Sequence, residues 1–375
     1  MVGILQGNGT QLFGSLPSQT NILLDNIRAN TAQRFHEEKA VIDQTAASRA
    51  EAIDNESERV ISVKAQVNNA KIAVETGQEG IKNIRNTLLE LRTTIALAGE
   101  ADDDPELRST EFDAKVNSIN NEANSGGIAF NLIGNINRID FTPNSIEYRS
   151  NLGLGQTTLQ GTHAGSDYRI RSNDGSYWIP ELGTETITHR SDIQGVVQKT
   201  TLSDGTEIDQ TASTRNAVKL ISFNEATNEI TAEVTFDPGL PPETVTGTLQ
   251  RDGLGLMPAW FYAGLATSAD RTRAFKAIDK AEIELVSREA ELEKAAARVK
   301  SDDRKVDDLL DGLTKDKTKA FIEQLTETQK LQIKAQQQIQ AMVVNLDNLS
   351  QQQQTYIQAF AGFVRSPFLQ FNIRA

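Results

Sequence analysis

The sequence contains no cysteine, which excludes disulfides and thiolate metal sites and suits a chain that lives outside the cell without depending on oxidation. Also missing is any apolar run of roughly 18 residues, the length a membrane-spanning helix needs, so no membrane insertion is expected. Basic clusters are absent too. A net charge of −13 argues against nucleic acid, whose phosphates reward grouped Lys and Arg. Residues 1–17 are polar and Gly-rich, without a basic region ahead of an apolar run, so a Sec-type signal peptide is not expected. Histidine is scarce. Of the three, His36 stands in His36-Glu37-Glu38, which lacks the second histidine of a zinc protease motif, and surface positions are expected for His36, His163 and His189. Gly153 and Gly155 complete no dinucleotide fingerprint, no P-loop is present, and Ser15 and Ser18 lack a Gly-x-Ser-x-Gly context. No catalytic, cofactor-binding or metal residue is therefore expected, and the chain is not read as an enzyme.

What is present is a helical repeat. Ile53, Val60, Val67, Val74, Ile81, Leu88 and Ile95 recur every seventh residue, with Val63, Ala70, Gly77, Ile84, Leu91 and Ala98 three positions on. This alternation holds one narrow apolar stripe on a helix and asks for a partner helix. Gly77 on the seam suggests close approach, although an interior glycine costs about 1 kcal/mol of helix propensity. From Ser18 the pattern is amphipathic and meets no Pro or Gly before Gly77. Gly99 ends this helix. In Asp102-Asp103-Asp104-Pro105 the preferred reading is a cap rather than a metal site, with Asp104 as N-cap and Pro105 at the first helical position. Phe112, Val116, Ile119 and Ala123 then mark a second helix, stopped by Ser125-Gly126-Gly127 and expected to fold back on the first.

Beyond Phe130 the period changes to two. Short strands are expected at 146–149, 157–159, 168–171, 176–179, 185–189 and 196–201, a hairpin at 218–223 and 230–236, and a strand at 245–249. Asp174-Gly175 and Asp204-Gly205 mark turns. Trp178, Trp260, Phe261 and Tyr262 are aromatic enough for a sugar platform, but core packing is the preferred reading. After residue 256 heptads return at Ile278, Leu285, Leu292, Val299, Val306 and Leu313, with Ala281, Ala295 and Leu309 between them. Arg288 and Asp302 interrupt this seam, where they turn to solvent or pair charge with charge. A last helical segment carries Leu325, Leu331, Ile333, Ile339, Val343, Leu346, Leu349, Ile357 and Phe360, and helix gives way before Pro367. The expected fold is α+β: an elongated shaft of N- and C-terminal coiled-coil-like helices with a β-rich outer domain inserted mid-chain.

Residues 67–81, followed by Asn83, Ile84, Leu88, Leu91 and Arg92, resemble the N-terminal core helix of flagellin and its hook-associated relatives. Phe112 to Ala123 resembles the family's second helix. Ala129-Phe130-Asn131-Leu132-Ile133 resembles its Phe-Asn-Gly turn, with Leu132 where glycine is usual. Gly253-Leu254-Gly255-Leu256 and residues 274–281 resemble the start of its C-terminal core helix. The resemblance covers roughly half of the chain, in matching order and spacing. It implies a terminal helical inner domain (1–45 with 325–375), a helical core (46–140 with 253–324) and a surface-exposed outer domain (141–252). It further implies a subunit of the extracellular flagellar filament, used for motility, that leaves the cell by type III export. Its partners would be copies of itself, the export machinery and chaperone, and hook-associated proteins. A hook–filament junction protein, or a surface adhesin on a helical stalk, stands as the alternative. The seam residues above, with Leu91, Phe112, Val116, Ile119, Ile339, Leu346, Ile357 and Phe360, are the expected packing and assembly positions. The family's Leu-Ser-Ser-Gly segment is replaced by a helix-compatible run at 37–52, and residues 364–375 look longer and more aromatic than the family's ending, with Phe368 and Phe371. Arg92 matches an arginine that vertebrate innate receptors read in some flagellins. Glu90 and Thr94 depart from that segment, so weak or absent recognition is expected.

Overall fold

The structure, a computed structural model, describes residues 18–100, 104–125, 131–137, 140–153, 155–181 and 184–364. It is α+β. Helix α1 runs Ser18–Leu97, α2 Pro105–Asn124 and α3 Ser268–Val364, with every described strand between α2 and α3. By contacts the chain divides into two units: Met1–Glu58 with Leu310–Ala375, and Arg59–Leu309.

The second unit contains thirteen described strands. Strands β1 (Asn135–Asn137) and β2 (Thr142–Pro143) pair, as do β3 (Ser145–Tyr148) and β4 (Thr157–Gln160). Then come β5 (Ser166–Ser172), β6 (Tyr177–Glu181), β7 (Thr186–Arg190), β8 (Lys199–Thr201), β9 (Glu207–Asp209), β10 (Thr211–Ser213), β11 (Val218–Asn224), β12 (Glu229–Val234) and β13 (Glu243–Gly253). Seven of them form one antiparallel sheet in the order β10-β7-β6-β5-β13-β12-β11, while β8 and β9 make a separate hairpin. The expected turns sit where the chain reverses, and Gly175 and Gly205 take φ of +91° and +85°, a region that suits a residue without Cβ.

Alternation decides which face of the sheet is covered. Tyr168 and Ile170 of β5, Trp178 and Pro180 of β6, Ile230, Ala232 and Val234 of β12, and Val245 and Leu249 of β13 are buried. Their cover includes a 3₁₀ segment, Ala259–Leu265, whose Trp260, Phe261 and Tyr262 are buried. Phe261 meets Phe223 edge-on at 4.9 Å, and Tyr262 meets Phe112 of α2 at 5.7 Å. Trp178, Trp260, Phe261 and Tyr262 are thus core and form no sugar platform.

Some strand expectations need correction. The segment expected at 196–201 is a strand only over Lys199–Thr201; Val197 forms an isolated bridge with Arg190, and Val196 is exposed. The alternation in the sequence does not reveal strands β1, β2, β9 and β10. Each has three residues or fewer, too short for alternation to register. The two helical segments expected after residue 256 are one helix, because Gly312 costs propensity without breaking the hydrogen-bond ladder.

Helix ends follow the expected chemistry. Asp104 caps α2, accepting from Glu106 N at 3.0 Å, with Pro105 behind it. At the start of α3, Thr267 Oγ1 accepts from Asp270 N and Asp270 Oδ2 from Thr267 N, both at 3.2 Å, a reciprocal capping box. Gly126, Gly127, Ala129, Phe130, Phe368 and Phe371 lie outside the described residues.

Candidate assembly surfaces

In the unit Arg59–Leu309, the heptad stripes of α1 and α3 are turned inward. Val60, Val67, Val74, Ile81, Leu88, Leu91 and Ile95 on α1, and Ile278, Leu285, Leu292, Val299 and Val306 on α3, are buried, as are Phe112, Val116 and Ile119 of α2. Leu309, expected on the seam, is exposed at 44%. Ion pairs fix the direction of the two long helices. Lys64 meets Asp303 and Asp307 at 2.6 and 2.8 Å, Arg85 meets Glu289 at 2.6 Å, and Arg92 reaches Glu282 and Asp279. As numbers rise on α1 they fall on α3, so the pair is antiparallel. Helix α2 joins through Lys115 to Glu90 at 2.6 Å and Asn83 to Glu122 at 3.0 Å.

Arg92, the position matched to the receptor-read arginine, is held against α3. Its Nε and Nη2 donate to the two carboxylate oxygens of Glu282 at 2.8 and 2.9 Å, a bidentate fork, and Asp279 adds a further bond. These acceptors hold its guanidinium ionisation above the ordinary arginine range, with Glu282 the larger cause. The side chain is committed to α3.

Gly77 and Gly80 are buried where other side chains press in. A Cβ on Gly77 would lie 3.0 Å from Leu292 Cδ2, and one on Gly80 2.6 Å from Ile133 Cδ1. Ile133 reaches this place from the turn after α2, and Asn131 builds that turn. The Asn131 side-chain amide donates to Ala123 O and to Ser125 O at 2.7 Å, while its Oδ1 accepts from Ile133 N at 2.8 Å. One buried asparagine therefore ties up carbonyls at the C-terminus of α2 and orders the following residues. Leu132, in the place of the usual glycine, has no positive φ and is fully buried, so the turn does not require glycine there.

Asp302 interrupts the α3 seam as a buried charge. Tyr148 of β3, itself buried, donates its hydroxyl to Asp302 Oδ2 at 2.9 Å, and Lys305 donates to Oδ1 at 2.9 Å. Arg288, the other interruption, pairs with Glu284 and Glu291 on its own helix. Asp113 of α2 is buried and accepts from Ala259 N at 2.6 Å. Burial raises its carboxyl to about 6, opposed by that backbone bond. The sequence offers no signal for Asp113 or Tyr148, because each is an isolated polar residue whose partner lies more than a hundred positions away.

The histidine expectation is corrected at two positions. His163 is buried, with Nδ1 bonded to Asp252. His189 is half-buried, stacked on Trp178 with centroids 4.5 Å apart, and bonded through its ring nitrogens to Gln210 and Ser176. Both sit on or beside sheet strands, where neighbouring polar side chains satisfy the ring. His36 is exposed.

The unit Met1–Glu58 with Leu310–Ala375 has a different character. Its two helices run antiparallel, joined by Lys334 to Glu38, Arg49 to Glu323 and Lys317 to Asp54. Among its described side chains only Leu24, Thr31, Ala320 and Leu331 are buried. Ile53, Leu313, Ile339 and Leu346 are half-buried, and Ile357 and Phe360 lie outside the described side chains. Large apolar groups face outward: Ile22, Leu23 and Val41 on α1, and Phe321, Ile322, Leu325, Ile333, Val344, Leu349 and Tyr356 on α3. Phe321 is 65% exposed and Tyr356 71%.

Among the described residues no group of His, Cys, Asp or Glu could hold a metal ion, and no helix is long and apolar enough to cross a membrane. No family model and no curated protein matches the chain. Solved structures that match the chain include the flagellar junction protein FlgL from Legionella pneumophila, at 13% identity and TM-score 0.35, covering 73% of this chain and 99% of that one. Another is flagellar hook associated protein-3 from Legionella pneumophila, at 15% identity and TM-score 0.37, covering 74% and 99%. A third is FlgL from Xanthomonas campestris, at 12% identity and TM-score 0.26, covering 68% and 92%.

Proposed function

We propose that the chain is a structural subunit of the bacterial flagellar axial assembly, outside the cell, and that its role is that of a hook–filament junction protein. The observation that carries the assembly reading is the apolar surface of the unit Met1–Glu58 with Leu310–Ala375, from Ile22 to Tyr356, which two helices cannot bury between themselves. Copies of the chain or related axial subunits would cover it, by heterologous contacts that need not close into a ring. The flagellar identity rests on the sequence blocks around residues 67–92, 112–123, 129–133 and 253–281. The family's Leu-Ser-Ser-Gly segment is missing, so the subunit contacts that it makes are not carried over to this chain. Its place is taken by unbroken helix, where Lys39 pairs with Asp43 and Arg49 with Glu323. Type III export, an export chaperone and hook-associated partners belong to this reading.

Electron microscopy of the purified chain, alone and after addition to isolated hooks, tests it. Discrete particles that add to hook ends support the junction role. Long filaments of the chain alone would reverse the order in favour of a filament subunit. Failure both to self-associate and to add to hooks would overturn the flagellar reading and favour the adhesin.

A further inference from the structure

Along β5, Tyr168 and Ile170 face the core, which turns Arg169 to the opposite face of the sheet. That face carries a pocket of about 190 Å³, lined by Asp167 and Arg169 of β5, Ile179 and Glu181 of β6, Arg190 of β7, and Phe141 and Ile193 from flanking loops. The volume lies below the roughly 300 Å³ at which pockets begin to suit drug-sized molecules, which restricts an occupant to a single small ring or its equivalent. The pocket is built rather than incidental. The Arg169 guanidinium lies 4.4 Å from the Phe141 ring centroid, and its Nε donates to Gln250. Arg190 donates to Gly195 O at 3.2 Å, tying down the loop that carries Ile193, and sits 3.6 Å from Glu181.

The chemistry of the lining selects the ligand class. Two guanidiniums and two carboxylates sum to no net charge, so neither a simple anion nor a simple cation is matched. Donors and acceptors are interleaved, with Asp167 and Arg169 on β5, Glu181 on the adjacent β6 and Arg190 on β7 beyond it. A zwitterion such as an amino acid has one group of each sign and would serve one of these sets. A sugar ring carries several hydroxyls, each both donor and acceptor, and serves both. Ile179 and Ile193 offer apolar surface to its C–H groups. Burial holds Arg169 below the ordinary arginine range.

We propose that this pocket binds one neutral sugar ring, free or at the end of a glycan. Its hydroxyls bridge Asp167, Arg169, Glu181 and Arg190, and its C–H face lies on Ile179 and Ile193. The test is saturation-transfer NMR on the full chain at millimolar concentrations of the methyl glycosides of glucose, galactose, mannose, N-acetylglucosamine and fucose, with leucine as the zwitterionic control. Transfer to at least one glycoside is expected, weakened roughly ten-fold or more by Glu181→Gln and by Arg190→Gln. Ile193→Trp, a loop substitution that fills the pocket without altering a strand, should abolish it. Thermal melting of each variant shows that it is folded. Beads carrying the responding sugar distinguish the sources: capture of the chain supports a glycan end, and binding only in free solution supports a free sugar. No transfer to any glycoside, transfer to leucine instead, or transfer undiminished in Ile193→Trp would each overturn the proposal.

Discussion

The Tyr148 to Asp302 bond gives the most decisive test of how the α3 seam is built. Asp302 occupies a heptad position between Val299 and Val306, both buried, and its own side chain is 9% exposed. Tyr148→Phe removes the donor and leaves a buried carboxylate held only by Lys305, whose side chain is 65% exposed and contributes little. A hydrogen bond to a charged group is worth about 1.5–3 kcal/mol, and that loss is expected for Tyr148→Phe. Asp302→Leu repairs the apolar stripe but strands the buried phenol, at a cost of about 1–3 kcal/mol offset in part by the new side chain. The double variant replaces both partners by apolar groups and should lie within about 1 kcal/mol of the parent, giving a coupling of at least about 1 kcal/mol. Burial first, and then Asp302, holds the tyrosine ionisation well above the ordinary phenol range, so the donor stays protonated throughout the assay. Urea unfolding followed by tryptophan fluorescence reads this unit alone, because Trp178 and Trp260 both lie in Arg59–Leu309. A loss below about 0.5 kcal/mol for Tyr148→Phe, or a double variant as unstable as the two singles combined, would refute the reasoning.

Asp113 predicts a pH dependence. Its folded value of about 6 lies above the ordinary 3.8, so between these values the folded state holds the proton more tightly and this group's contribution rises as pH falls from 7 towards 4. The change is on the order of 2 kcal/mol, and Asp113→Asn should flatten that part of the stability profile measured by urea unfolding at stepped pH. Gly77→Val should cost about 1–3 kcal/mol by overpacking against Leu292, read as a lowered melting temperature; an unchanged melt would show that the helices are not held at this spacing. Replacing Phe321, Ile322 and Leu325 together by Ser should leave unfolding of the isolated chain within about 0.5 kcal/mol while abolishing addition to hooks or self-association in electron micrographs. Deleting residues 331–375 should have the same effect on assembly, and a truncated chain that still assembles would refute the role given to this unit.

The long helices were legible because an apolar period of seven over many turns has few other readings. The stripe from Val60 to Ile95 and its counterpart from Ile278 to Val306 are buried where periodicity placed them, and Asp104-Pro105 announced its own cap. Legibility fell wherever structure depends on partners distant in sequence. His163 reads as an ordinary loop residue until Asp252 is brought beside it, and Asn131 reads as a turn former until the end of α2 meets its amide. Leu309 shows the reverse failure: heptad register predicts burial, yet it remains 44% exposed. For the assembly surfaces, the sequence identified Leu325, Ile333 and Leu349 as apolar periodic positions. It could not tell that they point outward, because periodicity describes a face without saying what covers it.

The ion pairs of Arg59–Leu309 carry one more consequence. An apolar stripe repeating every seven residues is nearly indifferent to sliding by one repeat, since each Val, Ile or Leu finds another in its place. The charged positions keep the same period but with gaps, so after a slide Arg85 would still meet a carboxylate, Glu282, while the other pairs would be lost. Moving α3 by one heptad would set Lys64 against Ala296 and Lys300 instead of Asp303 and Asp307, and would set Arg92 against Thr272 and Phe275 instead of Asp279 and Glu282. Partly exposed pairs add little to stability, yet they favour one register: two repeating rulers read the same at every mark, and marks left blank, as at Ala296, leave one alignment that fills all three pairs.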